Sequence, residues 1–201
     1  MARIEPLPAD EWPNEMQAAL AAIKPPNPRY RLTQKGRPSG ANMMGTMAHH
    51  PALARAYNTL NGHLLLATTL TERQRELIIM RAAAVSRSSY EWAQHVFLAR
   101  DAGLTELEIG WIAFGPDAQF WGEDEAALLR AVDELLADGA IGDHTWTVLS
   151  GHMSTQQLLD VIFTAGSYTV LAWMVHSLGV ELDGDLRDAL GGAGAWSNHD
   201  Q

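Results

Sequence analysis

The sequence has 201 residues, a length one domain can account for, and its 47% hydrophobic and 19% charged residues suit a packed core rather than a disordered chain. Its 14 Lys and Arg stand against 24 Asp and Glu, a formal net charge of −10 that repels phosphate backbones and argues against a nucleic-acid partner. Cysteine is absent, which excludes disulfides, thiolate metal sites, iron–sulfur ligation and any cysteine nucleophile or redox pair.

In chain order, Asp10 is placed to cap a first short helix through Ile23, stopped by Lys24-Pro25-Pro26-Asn27-Pro28. The Pro-rich stretch to Gly40 gathers Lys24, Arg29, Arg31, Lys35 and Arg37, and reads either as a solvated loop or as an arm over a neighbouring subunit or anionic ligand. Met43, Met44 and Met47 with Gly45 form a soft apolar patch. Pro51 suits the first turn of a helix to about Ala67. Thr71-Glu72-Arg73-Gln74 is a capping box opening a helix to about Val85. Ser88 or Ser89 caps the next helix, which ends at Gly103.

A second capping box at Thr105 leads to about Phe114, where Gly115-Pro116 stops the helix. Glu123 to Asp138 is amphipathic and closes at Gly139, and Asp143 is placed to cap a short helix. A third box at Ser154 opens a helix to Leu178 with Gly179 in the left-handed position. The expected fold is therefore all-α, seven or eight helices around one core in a single domain. Residues 1–40 form an N-terminal helix and basic arm, 41–190 the helical domain, and 191–201 a flexible Gly-rich tail. Val161–Leu178 is nearly long enough to span a membrane. It contains Gly166, Ser167, Tyr168, Thr169 and His176 between Asp160 and Glu181, which reads as a buried helix rather than a membrane span. With no apolar run in MARIEPLPADEW to act as a secretory signal, a cytoplasmic location is expected.

Chemistry concentrates between Glu76 and His95. On a helix starting near Ser89, Glu91 and His95 are four residues apart and share a face, with Ser88 one turn earlier. Glu76 lies on the preceding helix and can fold back toward His95 if the two form a hairpin. A carboxylate beside imidazole orients the ring for acid–base work, although a Glu/His pair at this spacing is also common on solvated helices.

The stretch from Leu70 to Ile112 resembles the core motif of the carboxymuconolactone decarboxylase/alkylhydroperoxidase AhpD-like family. The points of likeness are Glu76, then a helix carrying His95, then the Ala102-Gly103-Leu104 turn and an acid-capped helix. Peroxidase members carry Cys-x-x-Cys-x-x-x-His. Here the two cysteine positions are Ser88 and Glu91, neither of which can form a sulfenic acid or disulfide. Glu91-Trp92-Ala93-Gln94-His95 is similar instead to the decarboxylase members.

The resemblance implies an AhpD-like helical bundle assembling as a homotrimer or hexamer. It also implies a decarboxylase-like lyase that acts without a cofactor or metal on a small carboxylated or lactone compound of aromatic catabolism. In that reading His95 moves the proton, Glu76 holds its tautomer, Glu91 is the partner acid or base, and backbone N–H groups around Ser88 and Ser89 stabilise an oxyanion. Ser88, Tyr90, Trp92, Tyr168 and His176 are candidate substrate contacts. Tyr168, Ala172 and His176 form an i, i+4, i+8 stripe that either lines a pocket or packs in the core. The alternatives are a peroxidase-family member without thiol chemistry and a non-catalytic ligand-binding or assembly protein. His49, His63, His95, His152 and His176 do not show the spacing of a known metal site.

Overall fold

A computed structural model describes residues 2–31 and 38–189. Its α-helices are α1 (Glu15–Ala21), α2 (Ala41–Met47), α3 (Pro51–Gly62), α4 (Glu72–Val85), α5 (Ser89–Asp101), α6 (Glu106–Phe114), α7 (Glu123–Asp138), α8 (Asp143–His152), α9 (Thr155–Leu178) and α10 (Gly184–Ala189). The described residues contain no strand. The fold is the expected all-α single domain, with two short helices, α2 and α10, beyond the seven or eight anticipated.

The centre is α4, which packs against α5, α6, α7 and α9. Its apolar residues surround it rather than forming a stripe, as a helix enclosed by neighbours requires. Ile78, Ile79 and Ala82 join Leu128, Ala131 and Val132 of α7 and Val161, Ala165 and Tyr168 of α9 in the larger core cluster. Leu77 and Met80 face Val96 and Ala99 of α5 and Ile109 and Ile112 of α6. α9 is long and apolar enough to cross a membrane by length and composition, yet 56% of its most apolar window is buried, and it packs here as a core helix.

The expected capping boxes form at Thr71/Gln74, Thr105/Glu108 and Ser154/Gln157. Gly139 and Gly179 close their helices with φ of 75° and 66°. Three boundaries differ. The first helix is broken at Trp12-Pro13 into a 3₁₀ turn (Ala9–Glu11) and α1, because Pro13 has no N–H to carry it through, and Asp10 lies inside that turn instead of capping. Beyond Gly62 the third helix widens into a π-turn over His63–Ala67. Gly142, not Asp143, occupies the cap of α8, and Ser88 caps α5 by position without a side-chain hydrogen bond. The basic arm folds back on its own chain at Arg29 and Tyr30, whose backbone N–H groups donate to the Leu66 carbonyl at 2.6 and 3.0 Å. Lys35, Arg37 and the Gly-rich tail lie outside the described residues.

Gly62 is where α3 meets the end of the first helical segment; a β-carbon there would run into the Ile23 carbonyl group. Gly62→Ala is expected to destabilise the protein by about 1–3 kcal/mol in chemical denaturation, through overpacking against backbone that has no room to yield.

Candidate functional site

The hairpin of α4 and α5 turns through Ser86-Arg87-Ser88, with Arg87 at φ 55° and the Ser88 N–H donating to the Ala83 carbonyl at 2.8 Å. This short turn brings Glu76 of α4 against His95 of α5. His95 Nδ1 lies 2.8 Å from Glu76 Oε2, and the ring meets Tyr168 of α9 edge-on at 4.9 Å between centroids. With Nδ1–H donating to the carboxylate, Nε2 is the nitrogen left to exchange a proton with a ligand. Glu76 is fully buried. Burial alone would raise its pKa, but the hydrogen bonds from His95 and Arg75, with the charge of the guanidinium, outweigh it and hold the carboxyl below its ordinary value.

His95 and Glu91 both line a cavity of about 720 Å³, within the range of small-molecule sites. Its wall also includes Met43 and Met44 of α2, Asn58 and Asn61 of α3, Leu65 of the π-turn, Tyr90, Gln94 and Phe97 of α5, and Tyr168 and Leu171 of α9. Among the described residues Lys24 is the one Lys or Arg on it.

Glu91 is 1% exposed, and neither carboxyl oxygen has a hydrogen-bond partner. Burial pushes its pKa up to about 8, against a smaller downward pull from the nearby Ser88 hydroxyl. Glu91 is therefore a neutral acid at pH 7, one helical turn from an imidazole fixed in one tautomer by a carboxylate. A neutral carboxylic acid and a ring nitrogen on the same cavity wall can give and take a proton.

The other predicted residues divide. Tyr90 lines the cavity, and its hydroxyl donates to Asp183 Oδ2 at 2.6 Å; burial and that carboxylate raise its pKa. Tyr168 lines the cavity beside His95, so the core-or-pocket alternative resolves as both. Three of them fall outside the cavity wall. Ser88 is buried without lining the cavity, and Ser89 does not line it either. Trp92 packs with the cluster of α5 and α6 on the other side of the helix. His176 is exposed near the end of α9, away from the cavity.

The sequence reading missed Arg75, which donates to Glu76 at 2.8 Å, and the two asparagines of α3. An Asn-x-x-Asn spacing on a helix with one apolar face was the available signal. Asn58 donates its amide to the Ala19 carbonyl at 2.9 Å, and both asparagine carbonyl oxygens are buried without a donor. Among the described residues there is no group of three or more His, Asp or Glu able to hold a metal ion. His49 contacts the Glu5 carbonyl, His63 contacts Asp160 and His152 contacts Asp124, each in a different place.

The model of the carboxymuconolactone decarboxylase family matches residues 51–134, a segment that carries Glu76, Glu91 and His95. None of the curated proteins matches the chain. Among solved structures, an uncharacterized peroxidase-related protein from Silicibacter sp. TM1040 is 15% identical, with 92% of this chain and 93% of that one covered at a TM-score of 0.72. The debrominase Bmp8 in its apo form is 15% identical over 94% of this chain and 96% of its own, with a TM-score of 0.69. The alkylhydroperoxidase AhpD core of an uncharacterized peroxidase-related protein from Ralstonia eutropha JMP134 is 18% identical over 81% and 95%, with a TM-score of 0.65. At these identities the likeness establishes a shared AhpD-like helical fold.

The buried acid has a signature in stability. The folded state keeps the Glu91 proton up to about pH 8, whereas the unfolded chain releases it near the ordinary glutamate value of 4.5. Between those values the folded state binds more protons, so this group makes stability fall with rising pH, at up to about 1.4 kcal/mol per pH unit. Denaturation of wild type and Glu91→Gln from pH 5 to 9 is expected to show that slope in the wild type and a flatter profile in the variant.

Proposed function

For a chain whose residues 51–134 match the model of the carboxymuconolactone decarboxylase family, we propose acid–base catalysis without a cofactor on a small carboxylated or lactone-type compound of aromatic catabolism. Decarboxylation is the first choice, with isomerisation or hydrolysis on the same scaffold next. The observation that carries this reading is the pairing of His95 and Glu91 on one cavity wall, a tautomer-fixed imidazole beside a neutral carboxylic acid.

In the decarboxylation, the carbon–carbon bond to the carboxylate breaks and carbon dioxide leaves. The electron pair passes into the adjoining unsaturated carbonyl as an enolate. Glu91 gives its proton to the resulting carbanion and is reprotonated from solvent. In an isomerisation, His95 Nε2 takes the proton next to the carbonyl and the imidazolium is stabilised by Glu76, while Glu91 donates a hydrogen bond to the enolate oxygen. Lys24 offers a charge partner to a second carboxylate, and the apolar wall of Met43, Met44, Leu65, Phe97 and Leu171 suits an unsaturated ring. Thiol peroxidase chemistry is excluded because the chain has no cysteine.

The test is turnover of carboxymuconolactone and related enol-lactones without added metal. His95→Ala and Glu91→Gln are each expected to lower kcat by about 10²–10⁴-fold with the fold retained. Wild-type rates in both variants would overturn the acid–base assignment, and saturable binding with no product from any lactone would favour a ligand-binding protein.

The same reading includes self-association. The outer face of α9 presents Leu159, Ile162, Phe163, Gly166, Val170 and Trp173, with Leu53 and Leu60 of α3 also exposed. In a chain of net charge −10, a helix face with no charge from Leu159 to Trp173 is where two copies meet with least repulsion. Leu159 to Trp173 extends about 21 Å along the helix, and with α3 beside it such a face approaches the roughly 800 Å² per partner of a stable interface. A second copy of the chain is the proposed occupant, in a trimer or a hexamer. Sedimentation should find the wild type oligomeric at micromolar concentration, and Phe163→Glu with Trp173→Glu should dissociate it while helicity is kept. A monomeric wild type would refute this.

A further inference from the structure

Arg75 is the largest fully buried side chain among the described residues, at 2% exposure, and it does not line the cavity. A guanidinium out of water is costly unless its charge and its donors are matched. Nε donates to Glu76 Oε1 at 2.8 Å, and a terminal nitrogen donates to the Leu65 carbonyl at 2.6 Å. The cationic centre lies 5.6 Å from the centroid of the Tyr30 ring, a cation–π distance. Glu72, 43% exposed, is a further 4.0 Å contact.

Orienting His95 does not by itself require this cation, because Glu76 Oε2 already accepts from Nδ1. The added charge has its own consequence. A buried carboxylate whose only partner is an imidazole draws a proton into the pair, since that is how the pair avoids a net charge in a dry interior. A guanidinium that already balances the carboxylate removes that demand. Taking from the proposed function the view that His95 is the proton-transfer group, we propose that Arg75 is a positioning residue. It supplies the counter-charge of Glu76 and so keeps His95 neutral, protonated on Nδ1, with Nε2 free to accept a proton.

Every neighbouring element bears on this balance. α4 contributes Arg75 and Glu76, α5 contributes Glu91, α3 contributes Tyr57, α9 contributes Tyr168, and Lys24 stands on the far cavity wall. Glu91 stays uncharged until about pH 8, and burial pushes both tyrosines upward, so at neutral pH Arg75 and Glu76 are the buried charges that govern the ring.

The test is the pH titration of the His95 ring nitrogens by NMR in the full-length protein labelled with ¹⁵N-histidine, compared with Arg75→Gln, Arg75→Lys, Glu76→Gln and Glu72→Gln. In Arg75→Gln the pair is expected to take up its proton about one pH unit higher or more. Arg75→Lys, which keeps the charge without the fork, should bring the midpoint most of the way back. Glu76→Gln leaves the guanidinium unopposed and should move the midpoint down, while Glu72→Gln should leave it in place. An unchanged or lowered midpoint in Arg75→Gln overturns the proposal. If circular dichroism shows that Arg75→Gln does not fold, Glu76→Gln decides, and an unmoved midpoint there overturns it equally. No substrate enters this measurement, so failure of the lactone assay with the expected titration shifts refutes the reaction alone.

Discussion

A single buried carboxylate organises this protein's chemistry. Glu76 lies at the centre of the bundle on the most enclosed helix, and its two oxygens are divided between Arg75 and His95, each at 2.8 Å. A charge in that position can exist only if both oxygens are matched, and matching them fixes three elements at once. The α4–α5 hairpin must close tightly enough to deliver His95. The π-turn after α3 must present its Leu65 carbonyl to Arg75, and the N-terminal arm must lay Tyr30 against the guanidinium. Site and fold therefore share one constraint.

The second ionisable group follows the opposite rule. Glu91 is as buried as Glu76 but has no cation and no hydrogen-bond donor, so it keeps its proton. Two glutamates a few residues apart in space thus take opposite charge states because one has partners and the other does not. The cavity wall beside Glu91 includes Met43, Met44, Leu65 and Leu171, none of which can offer it a charge.

Much of this was legible in the sequence. The capping boxes, the α4–α5 hairpin and the shared face of Glu91 and His95 follow from side-chain chemistry acting over three or four residues, and the structure contains them all. What escaped depends on longer range. Nothing in Arg75's position beside Glu76 distinguishes it from any helical arginine until Leu65 and Tyr30 arrive from elsewhere. α2 and α10 are too short to announce themselves, and α2 is held at its start by the Asp183 carboxylate, which accepts from the Asn42 N–H at 2.7 Å. Two candidate residues fall outside the cavity wall through helix geometry. Trp92 is turned about 100° from Glu91, and an i, i+4, i+8 stripe drifts about 40° at each step, which carries His176 out to solvent while Tyr168 stays inside.

Asp183 joins sequence-distant parts of the chain. One carboxylate receives the Tyr90 hydroxyl at 2.6 Å and the Asn42 N–H at 2.7 Å, tying the stretch after α9 to α2 and to the helix that carries His95. The cavity wall formed by Gly40, Met43 and Met44 is thus latched by a residue that lies outside the family segment and near the other end of the described chain. The rim of the chamber rests on these hydrogen bonds, and the interior packing around α4 on none of them. Local opening at that rim and global unfolding therefore break different sets of bonds.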